Sequence, residues 1–246
     1  MRIPIILLLL CFLLFNCSTT KRTLTDLEKI GLKGRVKHLK FESSLNGKKG
    51  ALFQTDNEGE GITIDNEFFF NENGMISEQR QYSSSELTQI FIFEYDKINR
   101  LISKNYYNSS NELVMKSKFK NTLNSKGKLI RQSEFRATEN SLTESSKIEF
   151  SKTPHETMEF SYSENGELIK MTYIQSVFGP DFPRIIVEFT NGLVTNQSTI
   201  DFNGEVIQST EVKCLELDEN GNCIKLKTND NKPSEEYTVA LIEYYK

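Results

Sequence analysis

The chain has 246 residues, with 30 basic against 34 acidic side chains and a net charge of −4. That balance excludes a strongly basic nucleic-acid binder. A hydrophobic content of 37%, with 17 Phe and 9 Tyr, excludes a disordered chain, and two His in the whole sequence leave little for a histidine-based metal site or proton relay.

Arg2 is followed by an almost wholly apolar run over residues 3–15. A bilayer-spanning helix needs about 20 such residues; this shorter N-terminal run reads as an export signal. It ends in Leu14-Phe15-Asn16-Cys17-Ser18, which resembles a lipobox, the bacterial signal whose Cys thiol receives a diacylglycerol before cleavage ahead of it. Leu14 fits the pattern, while Phe15 and Asn16 replace the usual small residues. The resemblance implies a signal peptide over residues 1–16, lipidation of Cys17 and a polar tether over residues 17–26. More than one acyl chain is what stable anchoring requires. Ser18 is not the Asp that retains some lipoproteins at the inner membrane, so the expected address is the cell envelope, at the outer membrane.

Residues 23–30 place apolar side chains at Leu24, Leu27 and Ile30, a helical spacing. Thr23 or Thr25 is the candidate cap, and Gly31 and Gly34 are the stops. Beyond Val36 the sequence repeats. Phe70-Asn-Glu-Asn-Gly-Met-Ile76, Tyr95-Asp-Lys-Ile-Asn-Arg-Leu101, Leu123-Asn-Ser-Lys-Gly-Lys-Leu129, Tyr162-Ser-Glu-Asn-Gly-Glu-Leu168 and Leu217-Asp-Glu-Asn-Gly-Asn-Cys223 share one frame. Each starts from a large apolar residue, crosses a polar turn and returns to an apolar residue six positions on. Asn191-Gly192 and Asn203-Gly204 are shorter versions of the turn, and Asn and Gly both tolerate the positive φ that tight hairpins need. Even offsets in the flanks, such as Phe68 to Phe70, Leu215 to Leu217, Ile76 to Tyr82, Leu101 to Tyr107 and Leu129 to Phe135, place the apolar residues on one face. Residues such as Ser103, Lys104, Asn105, Arg131, Gln132 and Ser133 then fall on a wet face, the pattern of antiparallel sheet.

Tyr95-Asp96 followed by Arg100-Leu101 is similar to the YD repeat of RHS-type proteins, with Asn99 in the place of the usual Gly. Residues 27–38 look like the entry segment of bacterial lipoproteins with degenerate YD-like repeats. The resemblance implies a β-hairpin array without the size needed to enclose another protein. The expected fold is all-β: a meander of repeated hairpins over residues 27–246, forming a curved single sheet or partly closed barrel, with a short N-terminal helix. Two stretches interrupt the array, residues 43–66 and residues 176–183. The second carries an aromatic pair, Phe178 and Phe182, as candidate ligand-loop residues.

No acid–base constellation, nucleophile elbow or phosphate loop stands out, so neither catalysis nor a cofactor or metal is expected. Residues 56–60 and 218–222 offer oxygens without the spacing of a calcium loop. Cys214 and Cys223 flank one Asn-Gly turn in an exported chain, where disulfides persist. Strand alternation points them to opposite faces, so a bridge between them requires a bulge, and both the bridged and the free state stand open. The function expected is a non-catalytic binding or scaffold lipoprotein, anchored in the membrane by its acyl chains, with a protein, glycan or lipid ligand and no nucleic acid. The alternative is a periplasmic carrier of a lipid or other amphiphile on an aromatic-lined sheet; an enzyme using surface carboxylates ranks below both.

Overall fold

The computed structural model describes residues 25–30, 32–45, 48–49, 53–55, 61–83, 85–138, 148–176, 179, 182–229 and 237–246. One short helix, α1 (Asp26–Lys29), precedes β1 (Val36–Leu45), β2 (Lys48–Lys49), β3 (Phe53–Thr55), β4 (Gly61–Phe70), β5 (Ile76–Ser83), β6 (Glu86–Tyr95), β7 (Leu101–Asn108) and β8 (Leu113–Leu123). There follow β9 (Leu129–Arg136), β10 (Glu156–Tyr162), β11 (Leu168–Gln175), β12 (Arg184–Thr190), β13 (Leu193–Ile200), β14 (Val206–Leu217), β15 (Cys223–Asn229) and β16 (Tyr237–Tyr244).

From β4 to β16 each strand pairs antiparallel with the next. β1 then pairs on one side with β16, with Leu39 opposite Ile242, and on the other with β4, with Leu39 opposite Phe68. This double pairing closes the ring. The expected curved sheet or partly closed barrel is therefore a closed barrel, whose staves are β1 and β4 to β16; β2 and β3 extend β1 and β4 beyond it. Closure leaves no exposed sheet edge among these staves. The first expected interruption, residues 43–66, is in large part strand, since β1 runs to Leu45 and β4 begins at Gly61.

The repeated motif is a turn with one hydrogen-bond scheme. In the loop after β6, Asp96 N–H donates to the Arg100 carbonyl (2.9 Å) and Asn99 N–H to the Asp96 carbonyl (3.0 Å). The Asp96 carboxylate accepts from the amides of Ile98 and Arg100, each at 3.0 Å. Asn71, Asn124, Asp201 and Asp218 hold their turns in the same way. So does Asn108, in a turn outside the sequence alignment above. A short side-chain acceptor at the first position satisfies amides that no strand reaches. The fourth position adopts a left-handed conformation, and Asn99 does so at φ 61°, as expected of the residue standing for Gly.

Beyond each such turn the ladder slips by one residue. Tyr95 pairs with Leu101 but Glu94 with Ser103, and Leu123 pairs with Leu129 but Thr122 with Arg131. The extra residue is a β-bulge, and it reverses the parity of the strand that follows. This overturns the even-offset expectation. Tyr82, Tyr107 and Phe135 lie on the opposite face from Ile76, Leu101 and Leu129: the Tyr82 hydroxyl donates to outward Glu67 (3.1 Å), and Lys118 sits over the Phe135 ring at 5.9 Å. Lys104 and Gln132, expected to be wet, turn to the buried face, while Leu215 and Leu217 are about half exposed.

The N-terminal segment closes the tight-turn end. Thr25 caps α1 in a reciprocal box: its Oγ1 accepts from the Glu28 amide (3.1 Å), and the Glu28 carboxylate accepts from the Thr25 amide (2.6 Å). The helix is shorter than the expected 23–30. Thr25 and Asp26, assigned above to the tether, are buried parts of the folded unit. Leu27 N–H donates to the Gly74 carbonyl (3.1 Å), and the Leu27 side chain enters a cluster with Val36, Leu39, Phe70 and Ala240. The fully buried Asn222 clasps the backbone of Lys33 from the turn after β14, donating to its carbonyl (3.0 Å) and accepting from its amide (2.6 Å). The opposite end carries the longer connections.

Candidate functional site in the barrel interior

Cross-strand partners share a face of the sheet, so the ladder assigns inside and outside around the ring. The outside is charged. Lys40, Glu67 and Arg80 succeed one another across β1, β4 and β5. Lys116 and Lys118 on β8, Arg131 and Glu159 on β9 and β10, Lys170 and Glu188 on β11 and β12, and Lys213 and Lys227 on β14 and β15 continue the pattern. Arg131 and Glu159 form an exposed pair at 3.2 Å. A transmembrane barrel presents an apolar outer band about 25 Å tall, and charges at mid-strand interrupt any such band here.

The inside is apolar toward the plugged end. A cavity of about 320 Å³ lies between Leu39 and Phe41 of β1, Met171 of β11, Val187 and Phe189 of β12, Val194 of β13, Val212 of β14, Leu226 of β15 and Ala240 of β16. β1 and β11 stand almost opposite in the ring, so both walls face this space. Ile30 and Leu32 behind α1 roof it, and among the described residues Lys29 is its one charged liner. The Lys29 ammonium is held by Asp26 at 2.8 Å. Asp26 also accepts from the Ile76 amide (3.0 Å) and the Tyr95 hydroxyl (2.5 Å). Burial, followed by the Asp26 charge, pushes the Tyr95 phenol far above its ordinary range, so it stays a donor. Leu129, Phe160, Leu168 and Phe189 form the adjoining buried cluster, with Met158, Met171 and Val187 packed on it.

Further along the same inward faces the character changes. On β10 the inward residues run Phe160, Met158, Glu156; on β11 they run Met171, Tyr173, Gln175. Glu156 stands opposite Glu134 of β9, Glu134 opposite Phe119 of β8, and Ser117 of β8 opposite both Lys104 of β7 and Arg136 of β9. Glu134, 3% exposed, takes Lys104 Nζ at 3.2 Å, the Ser117 hydroxyl at 2.5 Å and Arg136 Nε at 3.6 Å. Arg136 donates through Nη2 to Glu156 at 3.0 Å. Lys104 also lies 5.9 Å from the centroids of Phe91 and Phe119.

The two carboxylates respond oppositely. Burial alone raises Glu134, but the Lys104 charge, the Ser117 hydroxyl and Arg136 outweigh it and hold the group below the ordinary carboxylate range. Burial raises Glu156, and the neighbouring Glu134 raises it further. Burial and Arg136 depress His155, beside Glu156. Tyr173 is raised chiefly by burial and remains protonated.

Cys214 and Cys223 are joined, with an S–S distance of 2.10 Å and Cα atoms 5.7 Å apart. The ladder slips between Cys214 and Glu216 and again before Leu217, which supplies the bulges that bring the two thiols to one side, at the cavity wall. Cys17 and Phe178 lie outside the described residues, as do residues 56–60. Phe182 is 38% exposed, and its amide donates to the Gly179 carbonyl at 3.4 Å. Asp218 is occupied as a turn cap by the amides of Asn220 and Asn222 and by the Tyr244 hydroxyl. Among the described residues no group of three or more His, Cys, Asp or Glu is placed to hold a metal, and no helix is long and apolar enough to cross a membrane. Lys104, Ser117, Glu134, Arg136, Glu156 and Tyr173 escaped sequence reading because the bulge parity was unknown; the spacing of Gln132, Glu134 and Arg136 at period two was the available signal.

No family model and no curated relative matches the chain. Solved structures with a similar course include a porin-like protein from Bacteroides uniformis, at 9% identity and TM-score 0.47, covering 90% of this chain and 100% of that one. A second porin-like protein, from Bacteroides vulgatus, has 12% identity and TM-score 0.32, covering 87% and 99%. At these scores the barrel assignment rests on the strand pairing itself.

Proposed function

We propose that this protein is an exported, lipid-anchored member of the cell envelope, attached through Cys17, that binds an amphiphile inside its barrel without acting chemically on it. The observation that carries the reading is the distribution of polarity. Charged residues recur around the outside of the ring, and an apolar space, closed at one end by α1, lies within. A charged exterior suits water or periplasm, while an enclosed apolar wall is where a hydrocarbon gains by leaving water, by about 25 cal/mol per Å² buried. The volume falls in the range of small-ligand pockets. The carrier alternative is thereby favoured over a scaffold acting through exposed loops, and the outer membrane is the address consistent with Ser18.

An uncharged, environment-sensitive dye such as N-phenyl-1-naphthylamine tests the reading. The expected result is saturable fluorescence enhancement with wild type. Val187→Asp, which places a carboxylate in the cavity wall, should weaken it by at least about tenfold, and Lys118→Ala on the outer face should not. No enhancement with wild type, or equal binding by a Val187→Asp protein that melts cooperatively, overturns it.

A further inference from the structure

Resting on that reading, we infer that the bound amphiphile bears a carboxylate, held by the Arg136 guanidinium at the end of β9 away from the plug, with its hydrocarbon tail toward the plugged end. Three observations lead there. The inward ladder of β10 passes from Phe160 through Met158 to Glu156 without a break. At about 3.3 Å per residue, that path from the apolar cluster to the charged girdle is the length of a short acyl chain. Of the four inward charged side chains Arg136 is the most open, 29% exposed, against 19% for Glu156, 18% for Lys104 and 3% for Glu134. A solute in the lumen therefore meets the Arg136 guanidinium before the other three.

Arg136 is also incompletely used. Its Nη2 pairs with Glu156 and its Nε lies 3.6 Å from Glu134, yet the buried Nε has no hydrogen-bond partner. A buried donor left unmade costs more than a made bond returns. Glu156 is an unfavourable permanent partner, since it stands directly opposite Glu134, and like charges across a ladder repel. A ligand carboxylate arriving along the apolar wall replaces Glu156 at the guanidinium. Glu156, whose proton burial and Glu134 already favour, becomes the neutral neighbour. The planar guanidinium fork matches a planar carboxylate with two parallel N–H donors, which a lone ammonium such as Lys104 cannot offer.

Calorimetric titration of the purified protein with dodecanoate and with dodecanol separates tail from head. Wild type is expected to bind both, dodecanoate more tightly. Arg136→Gln should lower dodecanoate affinity by about tenfold to a hundredfold and leave dodecanol unchanged. If dodecanol binds while dodecanoate binds no tighter, or if Arg136→Gln weakens both equally, the headgroup assignment falls and the apolar site stands. If neither ligand binds wild type, the amphiphile reading itself falls. Should Arg136→Gln fail to fold, Arg136→Lys keeps the charge and loses the fork; retention of full dodecanoate affinity by that variant refutes a bidentate seat.

Discussion

Asp26 ties the plug to the barrel from two directions. One carboxylate oxygen takes Lys29 of its own helix; the other takes the Ile76 amide and the Tyr95 hydroxyl from β5 and β6. Asp26→Ala leaves a largely buried phenol and a partly buried ammonium without their acceptor, so a loss of about 2–4 kcal/mol is expected, read as a lower urea midpoint at unchanged m-value. Gly74 sits against the same plug at φ +76°, and a Cβ there would meet Leu27 Cδ1 at 3.0 Å. Ala at this position combines a left-handed backbone with displaced packing, for an expected cost of about 1–3 kcal/mol. Glu134 sets a pH dependence. Its folded value lies below its ordinary one, so it contributes stability that is complete above the ordinary carboxylate range and is lost as pH falls through the folded value. Glu134→Gln should flatten that acid limb of the stability curve and cost about 3 kcal/mol at pH 7, because Lys104 and Arg136 lose their shared anion. An unchanged acid limb in the variant shows that Glu134 is not the titrating group.

At the scale of elements, β15 is held unevenly. On the β14 side it pairs from Glu211–Asn229 to Leu217–Cys223 and carries the disulfide. On the β16 side, among the described residues, it pairs through Lys225–Val239 and Leu226–Thr238. The disulfide therefore staples the strand whose other neighbour grips it least. Replacing both cysteines with Ala is expected to cost about 2–3 kcal/mol, with β15 amides losing hydrogen-exchange protection before those of β4 to β9. Uniform loss across the barrel contradicts this local role. The elements also show what was legible in the residues. The turns were, because an Asx acceptor followed by a left-handed Asn or Gly is local chemistry. The bulges were not: whether Ile102 or Ile130 sits in register depends on the partner strand, and one extra residue sends Lys104 inward and Phe135 outward. For the same reason Lys104 and Gln132 read as a wet face, and the Cys214–Cys223 bridge stood open until the slips at Glu216 and Leu217 were known.

For the whole molecule, closure depends on β1 meeting β4 and, at the same time, β16, whose partner residues lie some 200 positions away, a pairing that no local pattern encodes. Closure converts alternating strands into a container with charged residues on its outside and an inner face that is apolar toward the plugged end and charged beyond it. Native mass spectrometry of the protein taken directly from its host reads whether that inner face holds a ligand. The expected spectrum shows a non-covalent mass excess that organic extraction removes and identifies as an amphiphile, and that Val187→Asp abolishes. A bare protein mass, with Leu39, Met171 and Val187 merely packed on one another, would contradict it.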